Sequence, residues 1–189
     1  MSEGMWALPK RYEIRLSGLG GQGLILAGRL LAEAAALYDG RFATQTQSYG
    51  PESRGGDSRS DVVISDEEID YPHIIRADLL LAMSQMACDR NFYSLKREGI
   101  LVVDADMVPH VPTNQAYVVP ITRLAQQEVG KAVVANVLAL GVIVALSGVV
   151  SRRAVLAAVL AGTPKGTETL NRKALEVGFR VGEELRAGR

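Results

Sequence analysis

The sequence is poor in the side chains that bind metals and clusters. Its 189 residues include one cysteine, Cys88, and two histidines, His73 and His110, which lie far apart along the chain. A structural zinc site takes four ligands, and iron-sulfur clusters are held mainly by cysteine thiolates. If this chain takes part in redox chemistry, the redox centres therefore belong to other chains. A single cysteine also excludes an intrachain disulfide, and residues 1–10 lack the apolar stretch of a secretory signal, so we expect a cytoplasmic protein.

Net charge is missing as well. Lys plus Arg and Asp plus Glu each number 21, which gives a formal net charge of zero. A neutral chain gives no electrostatic reason to expect nucleic acid or an anionic membrane as a partner. Hydrophobic residues make up 48% of the chain and aromatic residues only 5%. This composition favours a surface that is partly covered by other subunits.

One long segment has no charged residue. It comprises the 19 residues 132–150 and includes Asn136, Ser147 and two glycines. A membrane-spanning helix needs about 20 predominantly apolar residues, so the length is borderline. The flanking segments have the patterns of an α/β domain, and we therefore interpret residues 132–150 as a buried or interface helix. Asn136 then needs a hydrogen-bond partner, and it either caps a loop or orients a ligand.

Short apolar runs alternate with helical patterns up to about residue 120, which predicts an α/β fold. The class is a three-layer α/β/α domain with a largely parallel Rossmann-like sheet and a helical C-terminal third. Strands are predicted at residues 12–17, 42–47, 61–65, 78–83, 100–104 and 116–119, and helices at 22–38, at 85–96 and from 122 onward, with breaks near Gly130, Ser151 and 163–166. We expect residues 1–189 to form one domain whose ends, 1–10 and 184–189, are frayed.

A glycine-rich loop follows the first predicted strand and opens the first predicted helix. Its candidate binding residues are Gly18, Gly20, Gly21, Gln22 and Gly23. Glycines at such a turn bring backbone N–H groups and the positive end of a helix against a phosphate or another anion. The alternative is a tight strand-to-helix turn in which Gly23 only allows close packing of helix on sheet. The local residues leave both interpretations open.

Two specific versions of a phosphate loop fit poorly. A nucleoside triphosphate loop has Lys and then Ser or Thr after its last glycine, whereas Leu24 and Ile25 follow here. An NAD site places an acidic residue at the end of the second strand, and that strand ends Thr46-Gln47-Ser48. NAD is therefore disfavoured, although other nucleotides are not.

A second loop follows the second predicted strand. It contains Arg54, Gly55 and Gly56, and we expect it at the carboxyl edge of the sheet, where open α/β sheets bind ligands. Arg54 could present its guanidinium to a phosphate or a carboxylate. In the alternative interpretation the loop is an ordinary turn with Arg54 in solvent. Tyr49, at the start of this loop, is predicted to pack under it. Cys88, on the second predicted helix, is predicted to be a small buried thiol.

Taken together, the two loops resemble the gamma subunit of pyruvate and 2-oxoglutarate ferredoxin oxidoreductases. The resemblance is carried by Gly18-Leu19-Gly20-Gly21-Gln22-Gly23, Ala27-Gly28, Ser48-Tyr49-Gly50-Pro51-Glu52, Arg54-Gly55-Gly56 and Val62-Val63-Ile64-Ser65-Asp66, and it continues through residues 77–85, 99–104 and 136–141. It covers nearly the whole chain from about residue 12. Residues 45–59 and 64–72 are more similar to the 2-oxoglutarate type.

The resemblance implies a role within a larger enzyme. Members decarboxylate a 2-oxoacid on thiamine diphosphate, pass electrons through iron-sulfur clusters to ferredoxin, and transfer the acyl group to coenzyme A. Thiamine diphosphate, magnesium and the clusters are expected on partner chains, the thiamine-binding and alpha-type subunits. This chain would contribute to coenzyme A handling and to assembly, with residues 20–23 meeting one phosphate and Arg54 another phosphate or a substrate carboxylate. The alternative is a free-standing nucleotide- or coenzyme A-binding Rossmann-like module.

Overall fold

A computed structural model describes residues 10–50 and 56–188 and contains one six-stranded sheet. The strands are β1 Arg11–Leu19, β2 Phe42–Tyr49, β3 Asp57–Ser65, β4 Ala77–Ala82, β5 Leu95–Asp104 and β6 Tyr117–Val119. They lie in the order β2-β3-β1-β4-β5-β6. All six predicted strands are confirmed, with ends that differ by a few residues.

The direction of one strand differs from the βα alternation expected from the sequence. β1, β4, β5 and β6 are mutually parallel, whereas β3 is antiparallel to both of its neighbours, β1 and β2. Five of the six strands thus point the same way, which confirms a largely parallel sheet. β2 and β3 form a hairpin, and the polar first residues of β3, Asp57 to Ser60, concealed the length of that strand in the sequence.

Six α-helices within the described ranges accompany the sheet. They are α1 Leu24–Glu33, α2 Gln85–Asn91, α3 Ile121–Leu124, α4 Ala135–Ser147, α5 Arg152–Gly162 and α6 Glu168–Ala187. α1 continues into a π-helical turn, Ala34–Tyr38, so the predicted helix over residues 22–38 is confirmed. The predicted breaks near Gly130, Ser151 and residues 163–166 are confirmed, since helices end before each of them. Ser151 caps α5 by accepting a hydrogen bond from the N–H of Ala154 at 3.1 Å.

The predicted helix over residues 85–96 is wrong at its C-terminal end. α2 ends at Asn91, a 3-10 turn follows, and Leu95 already belongs to β5, where it pairs with Ala77. The side chain of Asn91 donates to Ser17 Oγ at 3.0 Å, and Ser94 Oγ donates to the carbonyl of Asn91 at 2.7 Å. These polar contacts end the helix at a point where the apolar periodicity of the sequence gives no signal.

The two faces of the sheet carry unequal helical layers. α1, α4, α5 and α6 join one apolar core with Ile14 and Leu16 of β1 and Leu79 and Leu81 of β4. On the other face a smaller core contains residues of α2, β4 and β5. The three-layer architecture is confirmed, and within the described ranges α2 is the α-helix of the thinner layer.

The uncharged segment forms a buried helix. Every residue of α4 from Ala135 to Ala145 is buried, and α4 packs along α6. Glycines allow the two backbones to approach closely, because a Cβ added at Gly178 would lie 2.2 Å from the carbonyl oxygen of Leu138. The prediction of a buried helix is confirmed. Among residues 10–50 and 56–188 no helix combines the length and apolarity that a membrane span requires.

Candidate functional site

The two glycine-containing loops meet at the carboxyl edge of the sheet. β3 lies between β1 and β2, with Asp57 opposite Leu19 and Ser58 opposite Tyr49. The N–H of Gly20 donates to the carbonyl of Gly56 at 2.8 Å, which joins the first loop to the end of the second. The glycine loop and the described ends of the second loop, Gly50 and Gly56, thus lie at the expected edge of the sheet. Arg54 and Gly55, the other predicted residues of the second loop, lie outside the described residues.

Gln22 holds the glycine loop in shape from within. Its Oε1 accepts from the N–H of Leu19 at 2.7 Å, and its Nε2 donates to the carbonyl of Met83 at 2.9 Å. Gln22 therefore connects the end of β1 with the end of β4. A Cβ added at Gly18 would lie 2.2 Å from Gln22 Oε1, so this position needs glycine for the loop to close around the amide.

Asn136 supports the loop from the helical layer. Its Nδ2 donates to the carbonyl of Gly23 at 3.1 Å, although 113 residues separate them in sequence. Gly23 has a φ of +74°, in the left-handed region that favours glycine. Of the two roles that the sequence left open for Asn136, the structure supports the capping of a loop. In the sequence, this role is indicated by one amide side chain within an apolar run.

The N-terminus of α1 lacks a side-chain cap. Gly23 occupies the N-cap position, and the first turn contains no acidic residue. Gly20 and Gly21, which precede it, are exposed. The free N–H groups of a first helical turn carry partial positive charge, so the start of this ten-residue helix favours an anion.

The loop also lies at the point where the chain reverses its winding. From β1 the chain crosses through α1 to β2 on one side, whereas β4, β5 and β6 follow on the other side. α1 and α2 pack on opposite faces of the sheet. In open α/β sheets this switch point, outside the carboxyl ends of the strands, is the usual site of ligand binding.

An acidic residue missed by sequence reasoning stands beside the loop. Asp57, the first residue of β3, accepts from Ser17 Oγ at 3.3 Å and lies 3.6 Å from a guanidinium nitrogen of Arg90. Ser17 in turn accepts from Asn91 at 3.0 Å. The sequence does not identify Asp57 as a residue of this edge, because an antiparallel strand brings its first residue, not its last, to the edge.

A buried ion pair continues this network into the sheet. Arg15 on β1 donates to both carboxylate oxygens of Asp61 on β3 at 2.8 Å, and to Ser94 Oγ at 2.8 Å. Arg15 is 9% exposed and Asp61 6%. Such two-pronged pairs fix geometry as well as charge, so this pair holds β1, β3 and the turn after α2 in register.

The remaining candidates are distributed as follows. Cys88 is fully buried, as predicted, and burial raises the pKa of its thiol. Tyr49 is 64% exposed, so the prediction that it packs under its loop is wrong. In the described ranges no group of three or more His, Cys, Asp or Glu side chains is arranged for a metal ion.

A concavity lies away from the glycine loop. A cleft of about 340 Å³, lined by Arg76, Tyr93, Lys96 and Arg97 among others, is at the amino end of β5. Ligands of open α/β sheets bind at the opposite, carboxyl edge. We therefore place the candidate site at the exposed glycine loop, where backbone groups and a helix terminus converge, although the surface there is open.

Comparison with known sequences gives close relatives over nearly the whole chain. The family model for pyruvate ferredoxin/flavodoxin oxidoreductase matches residues 13–181. The 2-oxoglutarate synthase subunit KorC of Methanocaldococcus jannaschii is 48% identical, over 93% of this chain and 96% of its own length. The pyruvate synthase subunit PorC of the same organism is 29% identical, over 88% of this chain and 94% of its own length.

Solved structures are similar as well. The gamma subunit of a keto/oxoacid ferredoxin oxidoreductase from Geobacter sulfurreducens has a TM-score of 0.85 and 49% sequence identity, over 92% of this chain and 97% of that one. A 2-oxoglutarate:ferredoxin oxidoreductase from Magnetococcus marinus, with 2-oxoglutarate, coenzyme A and succinyl-CoA bound, has a TM-score of 0.82. At 22% identity, with 94% of this chain aligned to 32% of that one, it shares the fold.

Proposed function

We propose that this chain, which belongs to the pyruvate ferredoxin/flavodoxin oxidoreductase family, is the gamma subunit of a 2-oxoglutarate:ferredoxin oxidoreductase. Its relatives of similar length are subunits, which supports the assignment of this chain as a subunit of a 2-oxoacid:ferredoxin oxidoreductase. One observation carries the choice of 2-oxoglutarate: identity is 48% to a 2-oxoglutarate synthase subunit and 29% to a pyruvate synthase subunit of the same organism. We infer that thiamine diphosphate, magnesium and the iron-sulfur clusters are held by the thiamine-binding and alpha-type partner subunits, with ferredoxin as electron acceptor.

The choice of substrate is tested on the assembled enzyme. The tagged chain is purified anaerobically from its native host, and ferredoxin reduction is measured with 2-oxoglutarate, pyruvate and a branched 2-oxoacid. We expect a brown complex with a thiamine-binding chain, and a kcat/KM that is highest for 2-oxoglutarate. A complex that prefers pyruvate would contradict the substrate, whereas a colourless chain recovered alone would support the free-standing nucleotide- or coenzyme A-binding module.

Within the complex, this chain is proposed to hold a phosphate of coenzyme A at the glycine loop. Coenzyme A accepts the acyl group as a thioester. The N–H groups of Gly20 and Leu19 and the amide of Gln22 are already engaged within the chain. Among the described residues, the groups left for an anion are the N–H groups of Gly21, Gly23 and the uncapped first turn of α1, which fit a phosphate. Gly18, Gly20, Gln22 and Gly56 then keep the loop in shape.

Arg54 is the proposed second contact in the same site. Gly56 is bonded to Gly20, so the segment that ends there starts at Gly50 beside β2 and returns to the glycine loop. Arg54 belongs to this segment, and its guanidinium would bind a second phosphate of coenzyme A or the carboxylate of the oxoacid. Both roles require Arg54 to lie close to the glycine loop. Measuring the affinity for coenzyme A and for the 2-oxoacid separately distinguishes them.

Two matched pairs of variants test the site in the purified complex. Gly21→Ala places a Cβ at a φ of +92° where no atom lies within 4 Å, and Gly130→Ala does the same at +98° far from the loop. We expect about tenfold weaker coenzyme A binding for Gly21→Ala, because a strain of about 1–2 kcal/mol shifts the N–H groups. Gly130→Ala should leave the Kd unchanged.

The second pair compares Arg54→Ala with Arg153→Ala, an exposed arginine of α5. Loss of a charge-assisted contact of about 1.5–3 kcal/mol predicts a Kd for coenzyme A that rises roughly tenfold to a hundredfold for Arg54→Ala alone. If Arg54→Ala raises only the KM of the 2-oxoacid, Arg54 binds the substrate carboxylate instead. Equal Kd values for all four variants and the unmodified complex would discredit the coenzyme A site.

A further inference from the structure

The two edges of the sheet are built differently. β6 forms one edge with three residues, Tyr117–Val119, and Pro120 follows it. β2 forms the other edge with eight residues, Phe42–Tyr49. Short edge strands and prolines are common devices by which proteins prevent pairing with other chains. The β6 edge has both devices, so it is protected.

The β2 edge has none of the usual protections within the strand. Its sequence, Phe-Ala-Thr-Gln-Thr-Gln-Ser-Tyr, contains no charged residue and no proline. Its register with β3 runs without a bulge from Phe42 opposite Ser65 to Tyr49 opposite Ser58. A long, regular and uncharged edge offers a row of backbone groups to another strand.

Exposed apolar side chains lie at both ends of this edge. Leu37 and Tyr38, in the turn that leads into β2, are 71% and 40% exposed, and Phe42 is 49% exposed. Tyr49 at the far end is 64% exposed. Odd-numbered residues of β2 face the helical layer, because Gln45 donates to the carbonyl of Ile25 in α1. Tyr49 therefore lies on the same face as the turn that continues α1.

We propose that two copies of this chain pair antiparallel through β2 around a twofold axis at Thr46, which joins the two sheets into one of twelve strands. Antiparallel pairing brings the start of one β2 to the end of the other. Tyr49 of each copy then lies opposite Ala43 of its partner copy, beside that copy's Leu37 and Tyr38. This meeting of the exposed apolar groups, twice per dimer, is what favours a second copy as the occupant.

The rest of the register is self-complementary. Thr46 faces Thr46 of the second copy, and Gln45 faces Gln47 across the axis. Cross-strand Thr pairs and uncharged polar pairs stabilise antiparallel sheets, whereas like charges directly opposite each other destabilise them. The twofold arrangement closes on itself and leaves β6 as the edge of each half, so the assembly stops at two copies.

The test is the mass of the full chain in solution, measured by light scattering across a concentration series. The chain should be a dimer. Thr46→Lys, which places two lysines at the axis, should weaken the dimer by about tenfold or more. Val118→Lys adds the same charge to β6, where Val118 is 49% exposed, and should leave the dimer unchanged.

Charge pairing separates a lost interface from a lost fold. Thr46→Lys and Thr46→Glu chains should each dimerise about tenfold or more weakly than the unmodified chain, and mixing them should restore a dimer that contains one of each, with salt weakening it. A monomeric unmodified chain, or a dimer indifferent to Thr46→Lys, would overturn the proposal. It would also be overturned if Thr46→Lys reduced only the recovery of other subunits, because β2 would then pair with a strand of a different chain. Each outcome is independent of the 2-oxoacid that the enzyme uses.

Discussion

The two faces of the central strand β1 carry different kinds of buried side chain. Along β1, Ile14 and Leu16 point into the thick helical layer, and Glu13, Arg15 and Ser17 point to the thin one. All five side chains are buried. Burial of apolar surface stabilises the first set of side chains. The second set lies beside the smaller apolar core of α2, β4 and β5 and is stable there only because its polar atoms are paired.

This difference explains how loops are held near the second face. The carboxylate of Glu13 accepts from the N–H groups of Ile75 and Arg76, both at 2.9 Å, and from Arg11 at 2.8 Å. The side chain of Asp78 accepts from the N–H of Glu13 at 2.8 Å. Directional contacts of this kind fix the path of irregular backbone, which apolar packing alone does less well. The thick layer stabilises the fold, and the polar face positions its connections.

The largest effect is expected from breaking the polar face at its buried ion pair. Asp61→Ala leaves the guanidinium of Arg15 buried without its carboxylate, which should lower the free energy of unfolding by about 3–5 kcal/mol. Urea unfolding followed by circular dichroism measures the change. A loss below about 1 kcal/mol would mean that water reaches the pair.

A double variant is the control for that pair. Arg15→Met combined with Asp61→Leu removes both charges and keeps most of the volume. Replacing a buried pair by apolar residues is often neutral or stabilising, so we expect the double variant to be far more stable than Asp61→Ala. If the two were equally unstable, packing rather than the unpaired charge would explain the loss.

A smaller effect is expected from disturbing the apolar face where its helices are closest. Gly178→Ala forces a Cβ to within 2.2 Å of the backbone oxygen of Leu138, and α4 and α6 must separate. Overpacking of this kind costs about 1–3 kcal/mol. Gly188→Ala, at the end of α6, meets nothing closer than 3.5 Å and serves as the matched control. A thermal unfolding midpoint that falls equally for both variants would contradict the close approach.

One titratable group in each core allows a comparison by pH. Burial raises the pKa of the Cys88 thiol in the thin layer, and burial together with the charge of Asp78 raises the pKa of Tyr12 in the thick layer. The folded state therefore keeps protons that the unfolded state loses above about pH 8.5 for Cys and about pH 10 for Tyr. Below those pH values each group makes its full contribution to the free energy of unfolding. That contribution falls as the pH rises, by up to about 1.4 kcal/mol per pH unit for each group. In urea unfolding from pH 7 to 11, Cys88→Ala should remove the first decline and Tyr12→Phe the second.

The apolar contacts of the sheet can be predicted from the sequence, whereas its polar contacts cannot. Continuous apolar runs such as Leu79 to Ala82 predict central strands, because a strand that is covered on both faces is apolar on both. The sequence predicts β3 too short and does not predict its direction, because the first residues of this strand are polar and are held by partners distant in sequence. Asp57 accepts from Ser17, and the buried Ser60 accepts from Gln45. The helix predicted at residues 85–96 likewise extends too far, because β5 already begins at Leu95. Contacts such as Asn91 with Ser17 depend on the tertiary fold, and no local pattern encodes them.

The candidate site divides along the same line. The position of the glycine loop between β1 and α1 follows from its sequence, since only a strand-to-helix turn needs glycines in that order. Its internal bonds do not, because Gln22 reaches Met83 and Asn136 reaches Gly23 across 61 and 113 residues. The sequence could indicate that Asn136 needed a partner, but not which of the many carbonyls of the chain it would bind.

The smallest predicted effect lies where the thick layer meets the site. Asn136→Ala removes the amide that binds the carbonyl of Gly23, at a cost of about 1 kcal/mol in the free energy of unfolding. The φ of Gly23 is then less firmly held, so coenzyme A binding to the assembled complex should weaken although Asn136 is buried and touches no ligand. Asn136→Asp is the informative companion, because a carboxylate can no longer donate to the carbonyl and its charge would oppose an anion at α1. A Kd that changes with Asn136→Asp but not with Asn136→Ala would show that the local charge matters more than the loop geometry. Equal Kd values for both variants and the unmodified chain would disconnect the helical layer from the glycine loop.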